Sequence, residues 1–362
     1  MMGVPQRLPQ MVRPVLVLTT AVSLAFTVVV RAADDKWVLD RFASYLDSLR
    51  AQAAIPGLAA SIIGSGSVIW ERPFGRRNLD RSMDVQADTP FHLDGVTQIV
   101  TASLVLRCVE ERRLSLNDRI DQYTSDTSEP GATLGQILSH TSMQAGALVF
   151  AYRLERFDLL AAPLAACMDE PFRQSVAGLL RRLGMLTDSV PGPDATAPPA
   201  SDGVDQSMID YYESALGRLA TGYTVNGSSA AVASYSARTL KPSSGLITSV
   251  RDFAHFDLAL KKPPLLLRSD SISTAWQAPL GANGRRLPHG LGWFVQTYNG
   301  ETIVWQFGEG TASSSMVITV PGRGLTLILL ANSNGLTRGF NLKAGDVSVS
   351  PFAKAFLGTF LR

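Results

Sequence analysis

The sequence predicts an α+β fold: one antiparallel sheet built from both ends of the chain, terminal helices over one face, and a long, mainly helical insert packed beside it. Three observations predict it. Short apolar runs with strand character cluster near the two ends. Helical apolar periodicity opens and closes the folded part of the chain. The residues between read mostly as helices, so the sheet is continuous in space but not in sequence.

Each element has its own reason. Leu39, Phe42, Leu46, Leu49 and Ala53 recur three and four apart, and Pro56-Gly57 stops the helix they define. Leu58–Ile63 and Val68–Trp70 flank Gly64-Ser65-Gly66, which reads as a β-hairpin. After a loop ending Asp88-Thr89-Pro90-Phe91, residues 96–109 are apolar nearly all round, the mark of a buried central helix. Helical patterns run on to about Leu240, broken by a Pro-, Gly-, Ala- and Asp-rich loop at 191–203. Strands return at Thr302–Trp305, Met316–Val320 and Leu325–Leu330, and Phe352, Phe356, Phe360 and Leu361 close the chain at helical spacing. The expected lobes are residues 36–90 with 285–362, and residues 91–284.

Composition narrows the function classes. The 362 residues carry 33 Lys+Arg against 31 Asp+Glu, a net charge of +2, which gives none of the basic field that nucleic-acid binding needs. With 46% hydrophobic and 18% charged residues the chain is too apolar for a disordered protein. At the N-terminus, Arg7 and Arg13 precede an apolar run over residues 14–30, and Val30-Arg31-Ala32 puts small residues at −3 and −1. That is a signal-peptide pattern over residues 1–32, with an uncleaved anchor as the alternative; residues 33–362 would then lie outside the cytoplasmic membrane, periplasmic or secreted. Cys108 and Cys167 are too few for a disulfide framework. Their apolar helical settings read as buried free thiols, with one bridge open to an exported chain.

Six strings then become informative together: Ile55-Pro56-Gly57-Leu58, Asp88-Thr89-Pro90-Phe91, Leu114-Ser115-Leu116-Asn117-Asp118, Ile137-Leu138-Ser139-His140-Thr141-Ser142, Leu183-Gly184-Met185-Leu186-Thr187 and Gly290-Leu291-Gly292-Trp293. In this order they resemble the serine β-lactamase and DD-peptidase superfamily, in its class C and esterase-like branch. The resemblance covers nearly all of residues 33–362 and implies a β-lactamase/penicillin-binding-protein-like fold. It also implies three chemical clusters. S-x-x-K puts an amine one helical turn from a nucleophilic serine, Y-x-N brings a phenol that shuttles the proton, and K-T-G or H-x-G lines the acyl site. Two backbone N–H groups stabilise the oxyanion.

Aligned on those motifs, the chain keeps the frame and loses the reagents. After Phe91 the S-x-x-K window reads Gly95-Val96-Thr97-Gln98, with no nucleophile at Gly95 and a non-basic amide at Gln98. The Y-x-N window reads Tyr152-Arg153-Leu154, and residues 143–151 form a shorter segment before it than the family usually has. The third window reads Gln306-Phe307-Gly308, followed by Glu309. The oxyanion N–H groups implied by the resemblance are those of Gly95 and Glu309.

Simpler roles account for the neighbouring residues. Asp94 reads as a helix N-cap, Glu309 as a solvated turn residue, His140 as structural, and Ser313-Ser314-Ser315 as a hydroxyl ladder on a sheet face. His92, His255 and His289 stand apart from any ligand cluster, so no metal or other cofactor is expected. The reading that follows is an exported, catalytically inactive relative whose cleft binds a peptidoglycan-type peptide or a small carbonyl or carboxylate ligand. A hydrolase using Tyr152, Asp94 or a serine at 313–315, and a structural envelope protein with a closed cleft, are the alternatives. Nucleic acid is not an expected partner, and membrane contact is expected only through an uncleaved N-terminus.

Overall fold

The computed structural model describes residues 1–3, 36–198 and 204–361. The signal-peptide reading, from Arg7 to Ala32, lies outside the described residues, as does the end of the loop at 191–203. By its internal contacts the chain divides into residues 1–31 and 32–362, and every element below belongs to the second unit.

Helix α1 (Lys36–Gln52) buries Leu39, Phe42, Leu46 and Leu49 along one face. Its last turn is tied off where the Arg50 guanidinium donates to Asp47 and to the Ile55 carbonyl. Strands β1 (Gly57–Gly64) and β2 (Ser67–Asn78) form the expected hairpin, and β3 (Met83–Asp84) extends it. From the far end of the chain come β4 (Phe294–Tyr298), β5 (Glu301–Glu309), β6 (Ser314–Val320) and β7 (Leu325–Ala331). The seven strands lie in the order β4-β5-β6-β7-β1-β2-β3, and every pairing is antiparallel. Pairing of β1 with β7, from Leu58 opposite Ala331 to Ile63 opposite Thr326, joins the two ends.

Strand β1 is buried along its whole length, which an antiparallel strand shows only when both faces of its sheet are covered. Alternate residues serve separate cores. Leu58, Ala60 and Ile62 join Phe42, Trp305, Phe352 and Phe356 beneath α1 and the C-terminal helix. Ala59 and Ile63 join the core of the insert with Val100, Leu104 and Phe253.

The insert centres on helix α2 (Thr97–Glu110), in which every residue from Thr97 to Leu106 is buried. Helix α3 (Ala161–Met168) packs against it, and α4 (Val250–Leu260) packs on β1 and β7. The chain-closing α5 (Pro351–Phe360) lies against α1. The insert is less purely helical than the periodicity indicates. Hairpins occupy 141–150 and 223–232, and Phe91–His92 pairs with Ile247–Thr248. The free-thiol reading is corrected. Cys108 and Cys167 form a disulfide between the last turns of α2 and α3, where helix packing brings their Cα atoms to 6.3 Å.

Among the described residues no helix is long and apolar enough to cross a membrane, and no group of His, Cys, Asp and Glu could hold a metal ion.

Candidate functional site

A single 310 turn, Asp94–Val96, leads from the Phe91–His92 strand into α2 and lies directly against β5. Gly95 sits in this turn. A Cβ placed there would stand 2.6 Å from the Phe307 carbonyl oxygen, 3.2 Å from the Tyr152 hydroxyl and 3.3 Å from Leu154 Cδ1. The strand's backbone therefore occupies the space in which a side chain at 95 would begin. Across the contact, a Cβ on Gly308 would overlap the Leu93 carbonyl oxygen and Ser315 Oγ. Two glycines thus let turn and strand approach backbone to backbone.

Serines at the start of the neighbouring strand β6 and just before it fasten this approach. Ser315 Oγ donates to the Leu93 carbonyl at 2.6 Å, and Ser313 Oγ donates to Asp94 Oδ2 at 2.6 Å. Ser314, on the opposite face, donates to the Ser333 carbonyl at 2.5 Å. Two expectations are corrected by this geometry. The serines do not form a ladder with one another, because each hydroxyl finds a buried acceptor on another segment. Asp94 is not an N-cap: neither the turn nor α2 has a side-chain cap, and the Asp94 carboxylate takes its hydrogen bond from Ser313 instead. Asp94 holds a left-handed φ of 46°. Burial pushes its carboxyl up to about 6, with the Ser313 bond acting downward and the charge of Glu309 upward.

One turn further along α2, Gln98 is fully buried and collects its neighbours. Gln306 Nε2 donates to Gln98 Oε1 at 3.1 Å and to the Gly292 carbonyl at 3.1 Å, while Gln306 Oε1 accepts from the Phe307 N–H at 3.0 Å. The Tyr152 hydroxyl donates to the same Gln98 oxygen at 3.5 Å. The N–H of Arg153 donates to His140 Nδ1, so the proton of a neutral imidazole sits on Nε2, 3.3 Å from Gln98 Oε1. Gln98 Nε2 reaches the Leu154 carbonyl at 3.5 Å. Gly95, Gln98, Tyr152, Leu154, Gln306 and Gly308 thus come together at one place.

The cluster around Gln98 is electrically quiet. Burial holds the His140 imidazole well below its ordinary range, with His289, Arg156 and Arg153 adding to the effect. Burial holds His289 down at about 3, against the upward pull of its hydrogen bond to the Gly290 carbonyl. Tyr152 is raised above the usual phenol range by burial, and the Glu309 charge raises it further. His140 is a neutral member of this network, in keeping with the structural role its motif suggests; nothing in the spacing of Ser139-His140-Thr141 signals its contact with Gln98.

Beside the closed contact a cavity of about 270 Å³ remains, lined by Asp94, Leu154, Arg238, Lys241, Ser244 and Glu309 among others. Glu309 is exposed at the end of β5 and pairs with Lys343 at 2.8 Å. Arg238 and Lys241 give no signal in the sequence, where they are two cations in an irregular stretch before Pro242. Only the fold carries them to this wall. His92 stacks on Tyr235 at 3.9 Å between ring centres, away from these groups' hydrogen bonds, and His255 bonds the Gly184 carbonyl.

The profile of the Beta-lactamase family matches residues 42–347. This chain belongs to the beta-lactamase family. Solved structures agree on the fold. The octameric penicillin-binding protein homologue from Pyrococcus abyssi superposes with a TM-score of 0.70 at 17% identity, covering 88% of this chain and 77% of that one. The D-alanine carboxypeptidase AmpC from Burkholderia cenocepacia gives 0.65 at 19% identity, over 89% of this chain and 99% of that one. Among curated proteins, "Protein flp" of Staphylococcus aureus strain MW2 is 21% identical, over 77% of this chain and 60% of the relative. The chain thus spans about three fifths of the length of the curated relatives it matches.

Proposed function

We propose that this family member is an exported protein that performs no acyl-enzyme chemistry and acts by binding. The observation that carries the reading is the contact at Gly95, where the Phe307 carbonyl stands 2.6 Å from the position of a Cβ. Acyl transfer needs a nucleophile, a base that activates it and an open point facing oxyanion donors. Gly95 and Gln98 offer neither nucleophile nor base. The Gln98–Gln306 bridge holds neutral amides where the family's clusters hold an amine and a polar strand group. Gly95, Gln98, Tyr152, Leu154, Gln306 and Gly308 are, in this reading, vestiges of the catalytic positions. The Gly95 and Glu309 N–H groups are the vestige of the oxyanion pocket.

The Cys108–Cys167 disulfide supports export, since such bonds persist in oxidising compartments. The remaining cavity supports binding of a small zwitterion. Arg238, with Lys241 beside Asp158, can meet a carboxylate, and Asp94 with Glu309, now paired to Lys343, an ammonium, the two charges that a peptidoglycan-type peptide presents. A closed, purely structural role is favoured by one specific observation: the cavity lies beside the Gly95 contact and does not open it. Hydrolysis assays separate an inactive protein from a relocated hydrolase. Nitrocefin and p-nitrophenyl esters should turn over no faster with protein than without it, and turnover that survives purification and disappears in Asp94→Asn or Ser313→Ala would overturn the reading.

A further inference from the structure

A second surface, on the far end of α4, has the composition of a ligand site. Two grooves meet at Leu258 and Lys262, which line both. The first, about 570 Å³, has a floor of Leu258, Leu260, Ile272 and Trp276 and includes Lys261 and Arg323. The second, about 600 Å³, is lined by Leu183, Leu258 and Leu265 with Arg107 and Arg182. Both volumes lie in the range of small-molecule sites.

Charge decides what such a site takes. Among the described residues neither groove is lined by any Asp or Glu, while five Lys and Arg side chains line the pair. Arg107, Lys261 and Arg323 are paired to Glu111, Asp257 and Glu301. Arg182 and Lys262 have no ion pair among the described residues. Arg182 sits near Arg107; burial and that like charge lower its guanidinium, while the charges of Glu170 and Glu111 act upward. At the other end, Ile272 and the Trp276 ring line the first groove. Leu265, between the grooves and solvent, is 64% exposed. An apolar floor and a cationic end describe a concave site rather than a flat contact face.

We propose that these grooves bind one molecule of a phosphate-headed amphiphile, with its head at Arg107, Arg182 and Lys262 and its acyl chain over Leu258 toward Ile272 and Trp276. Guanidinium pairs suit a phosphate head because they donate in parallel to its oxygens, and the apolar floor takes the chain. The site shares no residue with the Gly95 contact, so it stands whether or not the protein is inactive.

Isothermal titration with dodecyl phosphate below its micelle concentration tests the assignment. The protein should bind it, and dodecyl maltoside and inorganic phosphate should each bind at least about tenfold more weakly. Arg182→Glu and Lys262→Glu should each weaken dodecyl phosphate by about tenfold or more at an unchanged melting temperature. Equal affinity for the maltoside would reduce the site to a greasy groove, and equal affinity for inorganic phosphate to an ion site. Either result overturns the proposal, as would unaltered binding by both variants. Binding to phosphatidylglycerol vesicles without binding of the monomeric amphiphile would overturn it in favour of a membrane surface.

Discussion

The contact at Gly95 and the grooves at Lys262 treat polar groups in opposite ways. At Gly95 the polar atoms are amides, hydroxyls, a neutral imidazole and the Asp94 carboxyl, which hydrogen-bond one another in a buried contact. At Lys262 the cations outnumber their partners and face open space. The first arrangement is stable because buried polar groups are cheap only when paired and uncharged. The second is tolerated because water solvates it, and a ligand can replace that water. Within one fold, the place that the family motifs mark is, in the reading proposed above, closed by packing, while a surface that those motifs do not mention carries cations without ion-pair partners among the described residues. Fold membership fixes where a site once was, and side-chain chemistry decides where one is now.

Putting charge back into the buried contact should give the largest effect. Gln98→Lys buries an ammonium against Gln306 Nε2 and His140 Nε2, both donors, and none of the hydrogen-bond partners of Gln98 is a carboxylate. We expect a loss of about 3–5 kcal/mol, the usual result of an unpaired buried charge, read from denaturant midpoints. Adding Gly95→Ser should not restore acylation, because its Cβ meets the Phe307 carbonyl. A Gln98→Lys variant as stable as wild type would show that the contact is looser than described.

The disulfide offers the next test, because it braces α2, the helix that presents Gln98. Replacing Cys108 and Cys167 together by serine should cost about 2–4 kcal/mol, measured as the difference between the oxidised wild type and the variant. No change would mean that helix packing alone holds α2.

Asp94 gives the smallest and most conditional effect. Its carboxyl is raised to about 6 from an ordinary value of 3.8, so the native state holds the proton more tightly than the unfolded chain. Asp94 therefore stabilises relatively more at low pH, and its contribution falls as pH rises from about 4 to about 6, by roughly 2–3 kcal/mol at most. Asn keeps the acceptor for Ser313 and tolerates the left-handed φ. Asp94→Asn should gain on wild type by that amount across this window and run parallel to it above. His92 and His289, both held low at about 3, push wild-type stability the other way, so the readout is the difference between the two proteins. Parallel curves throughout would remove Asp94 as the titrating group.

The frame is legible in the sequence because its signals are local. Leu39, Phe42, Leu46 and Leu49 alone specify α1, and Gly64-Ser65-Gly66 between apolar runs specifies the hairpin. Gln98 and Gln306 stand out through motif windows, which can be located without the family's usual residues in them. What escapes depends on distance along the chain. Asp94 before a helix looks like a cap until Ser313, 219 residues away, supplies a better donor. Cys108 and Cys167, separated by 59 residues, carry no spacing signal, and only the packing of α2 on α3 makes them partners. The hairpins at 141–150 and 223–232 are short and half exposed, so their alternation is too weak to read, although Ala145-Gly146 and Asn226-Gly227 mark their turns. Strand β4 is hidden for a different reason: its five residues follow directly on the Gly290–Trp293 motif, with no turn signal to separate them.

The central claim is that the space a nucleophile would need at Gly95 is filled by backbone. Intact-mass spectrometry after incubation with excess penicillin tests it most directly, on the wild type and on Gly95→Ser with Gln98→Lys, each checked for a native melting transition. Both proteins should keep the unmodified mass at every incubation time. A stoichiometric adduct on the wild type would reveal a relocated nucleophile, and one mapped to position 95 of the folded variant would show that the cleft is open; either result would contradict it.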